Sequence, residues 1–323
     1  MTIAQVTLQF EQGDKRAAYR LFMGEHITMF NTVEETQAIL EENDYIADVG
    51  LSTSLFLALK MGKAIFLEGE PGVGKTEVAK VLSRAFNATL IRLQCYEGLD
   101  ISQAVYEWNY PRQLLEIQAH HFQGNGQESN VDEIFSEKFL LKRPLLQAIS
   151  YSQDQTPILL IDELDRADEE FESFLLELLS DFQITIPEIG TLRAAHKPIV
   201  IITSNRTREI HDALKRRCVY HWIDYPSRQK ELEIVRLKVP AISAQLAGQV
   251  VGFIQAVRQQ ELYKLPGVAE TLDWAEALGH LQVTVLDTAV IDHTLGIILK
   301  YQDDVDKLRG QTVSQILEQV VPQ

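Results

Sequence analysis

The segment Gly69-Glu-Pro-Gly-Val-Gly-Lys-Thr76 has the spacing of a phosphate-binding loop, G-x-x-x-x-G-K-[ST]. Its glycines let the backbone curl so that N–H groups point at phosphate oxygens, and a helix that begins there adds its positive dipole end. We expect Lys75 to reach the β- and γ-phosphates and Thr76 to hold Mg²⁺. The predicted nucleotide-contacting residues are Gly69, Glu70, Pro71, Gly72, Val73, Gly74, Lys75, Thr76 and Glu77.

Two acids follow the apolar run Ile158-Leu-Leu-Ile161, and they are candidates for metal binding and catalysis. Ligands of open α/β sheets bind at the carboxyl ends of strands, so Asp162 is predicted to contact Mg²⁺ directly or through water. Glu163 is the candidate base that orients water in line with the γ-phosphate. The acids from Asp165 onward are instead typical of a solvated helix N-terminus.

Two further residues complete the predicted chemistry. Asn205 lies three residues after the apolar run 199–202, at the predicted strand end, and is predicted to hydrogen-bond the attacking water and the γ-phosphate, although Asn is also common in turns. Arg217, with Arg216 as the reserve, precedes another apolar segment and is predicted to act on a neighbouring subunit's nucleotide as an arginine finger. The alternative for these arginines is a solvated basic turn.

The elements around these residues alternate between strand and helix. Short apolar runs over 64–67, 158–161 and 199–202 are typical of buried parallel strands, and 89–94 and 219–223 are weaker candidates. Helices are predicted over 33–60, 75–86 and 169–182. This pattern predicts an α/β core with a parallel five-stranded sheet flanked by helices, followed by a small all-helical domain.

The predicted domains are an N-terminal extension over 1–32, the nucleotide-binding core over 33–226 and the helical domain over 227–323. The net charge of −16 disfavours general binding of nucleic acid, because phosphate neutralisation needs clustered Lys and Arg. Two cysteines and the lack of a signal peptide or membrane-spanning run indicate a reducing cytoplasm. The partner is therefore expected to be a protein.

The order and spacing of these motifs resemble an AAA+ ATPase. The segments Ile161-Asp-Glu-Leu-Asp-Arg-Ala-Asp-Glu-Glu-Phe171 and Leu179-Ser-Asp-Phe-Gln-Ile-Thr-Ile-Pro-Glu-Ile-Gly-Thr191 resemble the MoxR group in particular. The segments 92–100 and 104–112 resemble its CoxD-like branch. The resemblance covers about 33–274.

The resemblance implies a hexameric ring with ATP and Mg²⁺ between subunits. It also implies a chaperone that matures or activates a client protein, with a von Willebrand A domain partner and a link to metal-centre assembly. It places a β-hairpin at about 183–195 and an insert in the second core helix at about 100–118. In that insert Tyr106, Trp108 and Tyr110 would either face a pore or pack the insert.

Two more expectations come from the same resemblance. Tyr45 and Ile46 would line the adenine pocket. Related lid domains carry an arginine that senses the γ-phosphate, but Glu270 stands at that position here. Arg206 or Arg208 would then be the replacement charge.

Two other functions stay open. A P-loop phosphotransferase would need an acceptor pocket, and it would need neither Asn205 nor an arginine from another subunit. A nucleotide switch that does not hydrolyse ATP would use binding to order a surface for a partner. The sequence lacks an Asn-Lys-x-Asp guanine signature, so ATP is favoured over GTP.

Overall fold

The computed structural model describes residues 30–122, 134–151 and 156–320. Most of the predicted extension, residues 1–29, therefore lies outside the described residues. Phe30, which falls within the predicted extension, is buried and packs on Phe86 with ring centroids 5.2 Å apart. The core thus begins at or before residue 30.

A five-stranded parallel sheet forms the centre of the core, as predicted. Its strands lie in the spatial order 90–94, 158–162, 199–204, 64–69 and 218–223, and each neighbouring pair is parallel. The order brings the strands before Thr76, Glu163 and Asn205 side by side. The strands are β1 (Ala64–Gly69), β2 (Leu90–Gln94), β5 (Ile158–Asp162), β8 (Ile199–Ser204) and β9 (Cys218–Ile223).

Helices cover both faces of this sheet. One face, which includes Ile65 and Ile201, packs against the first three helices, and the other, which includes Phe66 and Ile202, packs against those that follow. Alternating side chains of a buried strand serve both layers, which explains their near-continuous apolar sequence. The helices are α1 (Val33–Glu42), α2 (Val49–Met61), α3 (Lys75–Phe86), α4 (Ile101–Ala104), α5 (Tyr110–Phe122), α6 (Pro144–Ile149), α7 (Glu169–Asp181) and α8 (Asp212–Lys215).

The single helix expected over 33–60 is two helices. Helix α1 ends at Glu42, and Asp44 takes a left-handed backbone with φ 62°. Asp48 then caps α2, because its carboxylate accepts a hydrogen bond of 2.8 Å from the Leu51 amide. Asn and Asp favour these turn and cap conformations, which break a continuous helical pattern.

Two antiparallel pairs project from the core. Strands β3 (Tyr106–Trp108) and β4 (Leu140–Lys142) pair at the base of an inserted segment between α4 and α6, which we call the excursion. The insert expected over 100–118 covers only the first part of this segment. Strands β6 (Gln183–Ile186) and β7 (Gly190–Arg193) form a hairpin within the expected range 183–195.

After the sheet the described chain is helical. Its apolar core is a separate cluster that includes Leu246, Trp274 and Ile291. Among the described residues, no helix has the length and apolarity to cross a bilayer. The helices are α9 (Arg228–Lys238), α10 (Ala244–Val257), α11 (Val268–His280), α12 (Thr288–Ile298), α13 (Gln302–Leu308) and α14 (Gln311–Val320).

Candidate functional site

The loop between β1 and α3 has the backbone that a phosphate cradle needs. Gly74 directly precedes α3 and has φ 96°, a conformation that is strained for a residue with a side chain. Lys75 is 6% exposed, and its Nζ donates hydrogen bonds of 2.7 Å to the carbonyls of Gly69 and Glu70. Burial lowers the pKa of Lys75 to about 8. The ammonium group therefore lies within the loop, where a phosphate would recover part of the charge stabilisation lost on burial.

Asp162 ends β5 and faces the start of α3. Its Oδ1 accepts hydrogen bonds from the Thr76 hydroxyl at 3.0 Å and from the Thr203 hydroxyl at 2.6 Å. Its Oδ2 accepts two from Arg92, at 3.0 Å from Nε and 2.6 Å from Nη2. The carboxylate is thus fixed from three elements.

These residues fit a magnesium ion that arrives with a nucleotide. Mg²⁺ is usually held by one or two protein ligands together with phosphates and waters. The Thr76 hydroxyl points its hydrogen at Asp162, so the Thr76 oxygen keeps lone pairs for a cation. Across the described ranges, no group of three or more His, Cys, Asp and Glu side chains could form a protein-only metal cage.

Glu163 lies in a left-handed conformation, with φ 56° and ψ 51°. Its amide donates to Thr203 Oγ1 at 2.9 Å. Its carboxylate accepts from Gln94 Nε2 at 3.0 Å and from Asn205 Nδ2 at 3.4 Å, and it pairs with Arg166 at 3.0 Å. A non-glycine residue in this region is uncommon and is often found at functional sites.

Asn205 is held in place by a buried acid. The Asp165 carboxylate accepts hydrogen bonds from the amides of Asn205 at 3.1 Å and Thr207 at 2.9 Å. Asp165 is 3% exposed, so the expectation that it belongs to a solvated helix start is wrong. The sequence offered no signal, because a run of acids looks alike whether it faces solvent or a neighbouring loop.

Arg217 lies at the amino-terminal ends of the strands, opposite the predicted nucleotide site. It precedes Cys218, which pairs with Ala64 at the start of β1, whereas Asp162 ends β5 and Asn205 directly follows β8. Strands of six residues place these ends about 20 Å apart. The Arg217 guanidinium donates to Ser180 Oγ at 2.6 Å and to the Ala213 carbonyl at 2.8 Å. The structure therefore does not bring Arg217 to the site of its own chain.

The start of α11 contacts the phosphate loop directly. The Ala269 amide donates to the Gly72 carbonyl at 3.1 Å. A Cβ on Gly267 would lie 2.7 Å from the Pro71 oxygen and 2.9 Å from Gly72 Cα. The Glu270 carboxylate caps its own helix by accepting from the Gly267 amide at 2.9 Å. Glu270 thus acts locally in the contact between the helical region and the loop.

The two arginines considered as replacements for a lid arginine differ in availability. Arg208 donates to the Ala167 carbonyl and pairs with Glu172, so it is used within the core. The Arg206 amide donates to Ser204 Oγ at 3.0 Å, while its side chain is exposed. Of the two, the structure leaves Arg206 the freer side chain.

The aromatic residues of the excursion have different environments. Trp108 is buried in the core and stacks edge-on with Phe135, with ring centroids 5.2 Å apart. Trp108 therefore packs the excursion, whereas Tyr110 is 58% exposed. Tyr106 is half-buried against Trp108.

Tyr45 approaches the phosphate loop, because a Cβ on Gly74 would lie 3.8 Å from its ring. Burial raises the pKa of the Tyr45 hydroxyl. Ile46 is half-buried beside it in sequence. Glu77 points along α3 and pairs with Lys80 at 3.2 Å and Arg84 at 3.3 Å.

Comparisons with known proteins agree with this architecture. Residues 64–218 match the family described as AAA domain (dynein-related subfamily). The mitochondrial Lon protease homolog of Bos taurus is 25% identical over 213 residues, which are 60% of this chain and 19% of that protein. The Lon protease of Protochlamydia amoebophila (strain UWE25) is 25% identical over 220 residues, which are 64% of this chain and 23% of that protein. The chain thus spans less than a quarter of these relatives' length.

The Thermotoga maritima RuvB Holliday junction branch migration motor is a structural neighbour. It is 15% identical, with 81% of this chain and 69% of that chain covered and a TM-score of 0.42. Mutants of the same protein have TM-scores of 0.44 and 0.45, and a likeness of this size carries no functional argument. The family match and the Lon relatives support an AAA+ ATPase core, and hence nucleotide-dependent activity in general.

Proposed function

We propose that this protein hydrolyses ATP in an oligomeric ring and uses the energy to remodel a partner protein. The observation that carries the proposal is the distribution of groups over the sheet. Five predicted site residues lie at the carboxyl ends of the strands, whereas Arg217 lies at the amino-terminal ends. The five are Lys75, Thr76, Asp162, Glu163 and Asn205. A second copy could bring its Arg217 to this site, and a single chain could not.

Each group has a distinct proposed role in hydrolysis. Lys75 binds the β- and γ-phosphates, and Thr76 and Asp162 hold Mg²⁺, which neutralises charge on the phosphate oxygens when bound. Glu163 orients the attacking water and accepts its proton, with Asn205 beside it. Arg217 of the neighbouring copy stabilises charge that develops on the γ-phosphate.

The specific biological role is part of this proposal and rests on the sequence resemblance. We propose a MoxR-type chaperone in a hexameric ring that matures or activates a client protein, with assembly of a metal centre as one form of that work. A von Willebrand A domain protein is the proposed partner. The proposed cytoplasmic location rests on the two cysteines, which are both free.

The proposed chemistry is tested by three variants of the purified chain. Lys75→Ala should lose ATP binding. Glu163→Gln should keep ATP binding, because the amide fills the same space, and should lower turnover about 10²- to 10⁴-fold. Arg217→Ala should lower turnover about 10³-fold or more without unfolding the protomer. The measurements are calorimetric ATP binding, phosphate release and circular dichroism.

Arg216→Ala is the matched control for the finger, because Arg216 is its exposed neighbour and carries the same charge. Turnover that persists in Arg217→Ala while Arg216→Ala is inactive would transfer the role to Arg216. ATP binding without turnover in the assembled wild-type protein, with its partner supplied, would support the switch. Transfer of phosphate to a small acceptor by the isolated chain would support the phosphotransferase.

A further inference from the structure

The hydrogen-bonding capacity of Asp162 is already used in full. A carboxylate offers about four lone-pair sites. Thr76 and Thr203 donate to Oδ1, and Arg92 donates twice to Oδ2. A cation, or a water bound to it, can reach Asp162 only at a position that one of these donors now occupies.

The three residues that donate to Asp162 differ in how easily they could move away from it. Thr203 is 1% exposed, and its hydroxyl also accepts from the Glu163 amide, so it is fixed from both sides. Thr76 is itself the other proposed ligand. The Arg92 side chain is 50% exposed while Asp162 is 2% exposed, and a long side chain at the sheet edge can turn into solvent. Arg92 is therefore the donor that can be displaced.

Arg92 also reaches the second acid through one intermediate. Its Nη2 donates to Gln94 Oε1 at 2.5 Å, and Gln94 Nε2 donates to Glu163 Oε2 at 3.0 Å. Gln94 pairs with Asp162 across β2 and β5, and Arg92 lies two residues before Gln94, so these three side chains lie on one face of the sheet. Arg92 therefore orients the Gln94 side chain, whose nitrogen in turn contacts Glu163.

We infer that Arg92 occupies Asp162 until Mg²⁺ displaces it. The inference rests on the proposed function, because it assumes that Asp162 serves Mg²⁺. The physical basis is competition between two cations for one carboxylate, since a guanidinium and Mg²⁺ repel each other at short range. Arg92 thus acts as a positioning residue that holds Asp162 and competes with the metal for it.

The test is calorimetric binding of ADP to the full chain, in EDTA and in saturating Mg²⁺. The ratio of the two affinities measures how strongly Mg²⁺ assists ADP. Arg92→Gln removes the competing cation, so this ratio should rise about five-fold or more, at the lower end of typical coupling between ligands. Arg92→Lys keeps the charge but loses the forked contact, so its ratio should rise by a smaller factor.

Arg236→Gln is the matched control, because it removes the same charge from an exposed position on α9. Its ratio should equal that of the wild type. An unchanged or lower ratio in Arg92→Gln would overturn the inference, as would weaker binding in EDTA alone, which would place Arg92 on phosphate. If Arg92→Gln does not fold, Arg92→Lys decides, and a wild-type ratio there overturns the inference.

Failure of the proposed function looks different. In that case the wild-type chain either does not bind ADP or gains nothing from Mg²⁺, and the variants cannot differ from it. A wild-type chain that binds ADP with help from Mg²⁺ leaves the proposed function standing while the Arg92 variants judge the inference alone.

Discussion

Replacement of Thr203 by valine should disturb the site more than its small chemical change suggests. The Thr203 hydroxyl accepts from the Glu163 amide at 2.9 Å and donates to Asp162 Oδ1 at 2.6 Å, at a position 1% exposed. Valine fills similar space but leaves the Glu163 amide without its acceptor, while Asp162 keeps the bonds from Thr76 and Arg92. One unsatisfied buried group costs about 1–3 kcal/mol, so we expect a loss of about 1–3 kcal/mol in the free energy of unfolding.

The same change should impair the base. The left-handed conformation of Glu163 costs about 1–3 kcal/mol, and the Thr203 contact is one of the interactions that hold it. Without it the carboxylate should lose its orientation, and ATP turnover should fall about ten-fold or more, because misplacement of about 1 Å can cost 10²-fold.

Urea unfolding and steady-state phosphate release measure the two effects. Thr203→Ser is the control, because it keeps the hydroxyl and loses one methyl group, which is worth about 1 kcal/mol. The reasoning is refuted if Thr203→Val is no less stable than Thr203→Ser and turns over ATP at the same rate.

Two more predictions concern the phosphate loop. Gly267→Ala should lower the free energy of unfolding by about 1–3 kcal/mol and weaken ADP binding, because its Cβ would overlap the Pro71 oxygen. The control is Gly248→Ala, whose new Cβ would meet no neighbouring side chain or loop, so it should be neutral or stabilising. Urea unfolding and calorimetry measure both variants, and equal effects would contradict the clash. ADP affinity should fall as pH rises through about 8, since binding needs charged Lys75 and burial lowers its pKa to about 8. Lys75→Arg should bind more weakly but keep a flat profile to pH 9.5 in the same calorimetry, and a parallel fall there would assign the titration to another group.

The sequence predicted the features that depend on local pattern. Apolar runs located the five strands of the sheet, and the glycine spacing located the loop before α3. Apolar runs are a reliable sign of such strands, because a strand covered by helices on both faces must be apolar at nearly every position. The break near Asp44 was missed because apolar residues recur on both sides of it, although Val49 and Leu57 of α2 prove to be exposed.

The parts that depend on strand order were beyond the sequence. Gln94 and Arg92 end a predicted strand, but nothing local shows that β2 lies beside β5 in a register that opposes Gln94 to Asp162. Thr203 was hidden in an apolar run for the same reason. Only the three-dimensional neighbours distinguish its hydroxyl from that of any buried threonine.

The contact between Gly72 and the start of α11 limits how this protein can be recombined. Gly72 must adopt φ 76° to curve the loop, and its carbonyl must also meet the Ala269 amide. A chimera that joins this core to the helical region of a relative would therefore need Gly72 and Gly267 transferred together. A glycine at only one of the two positions would leave the seam between the two parts either strained or open.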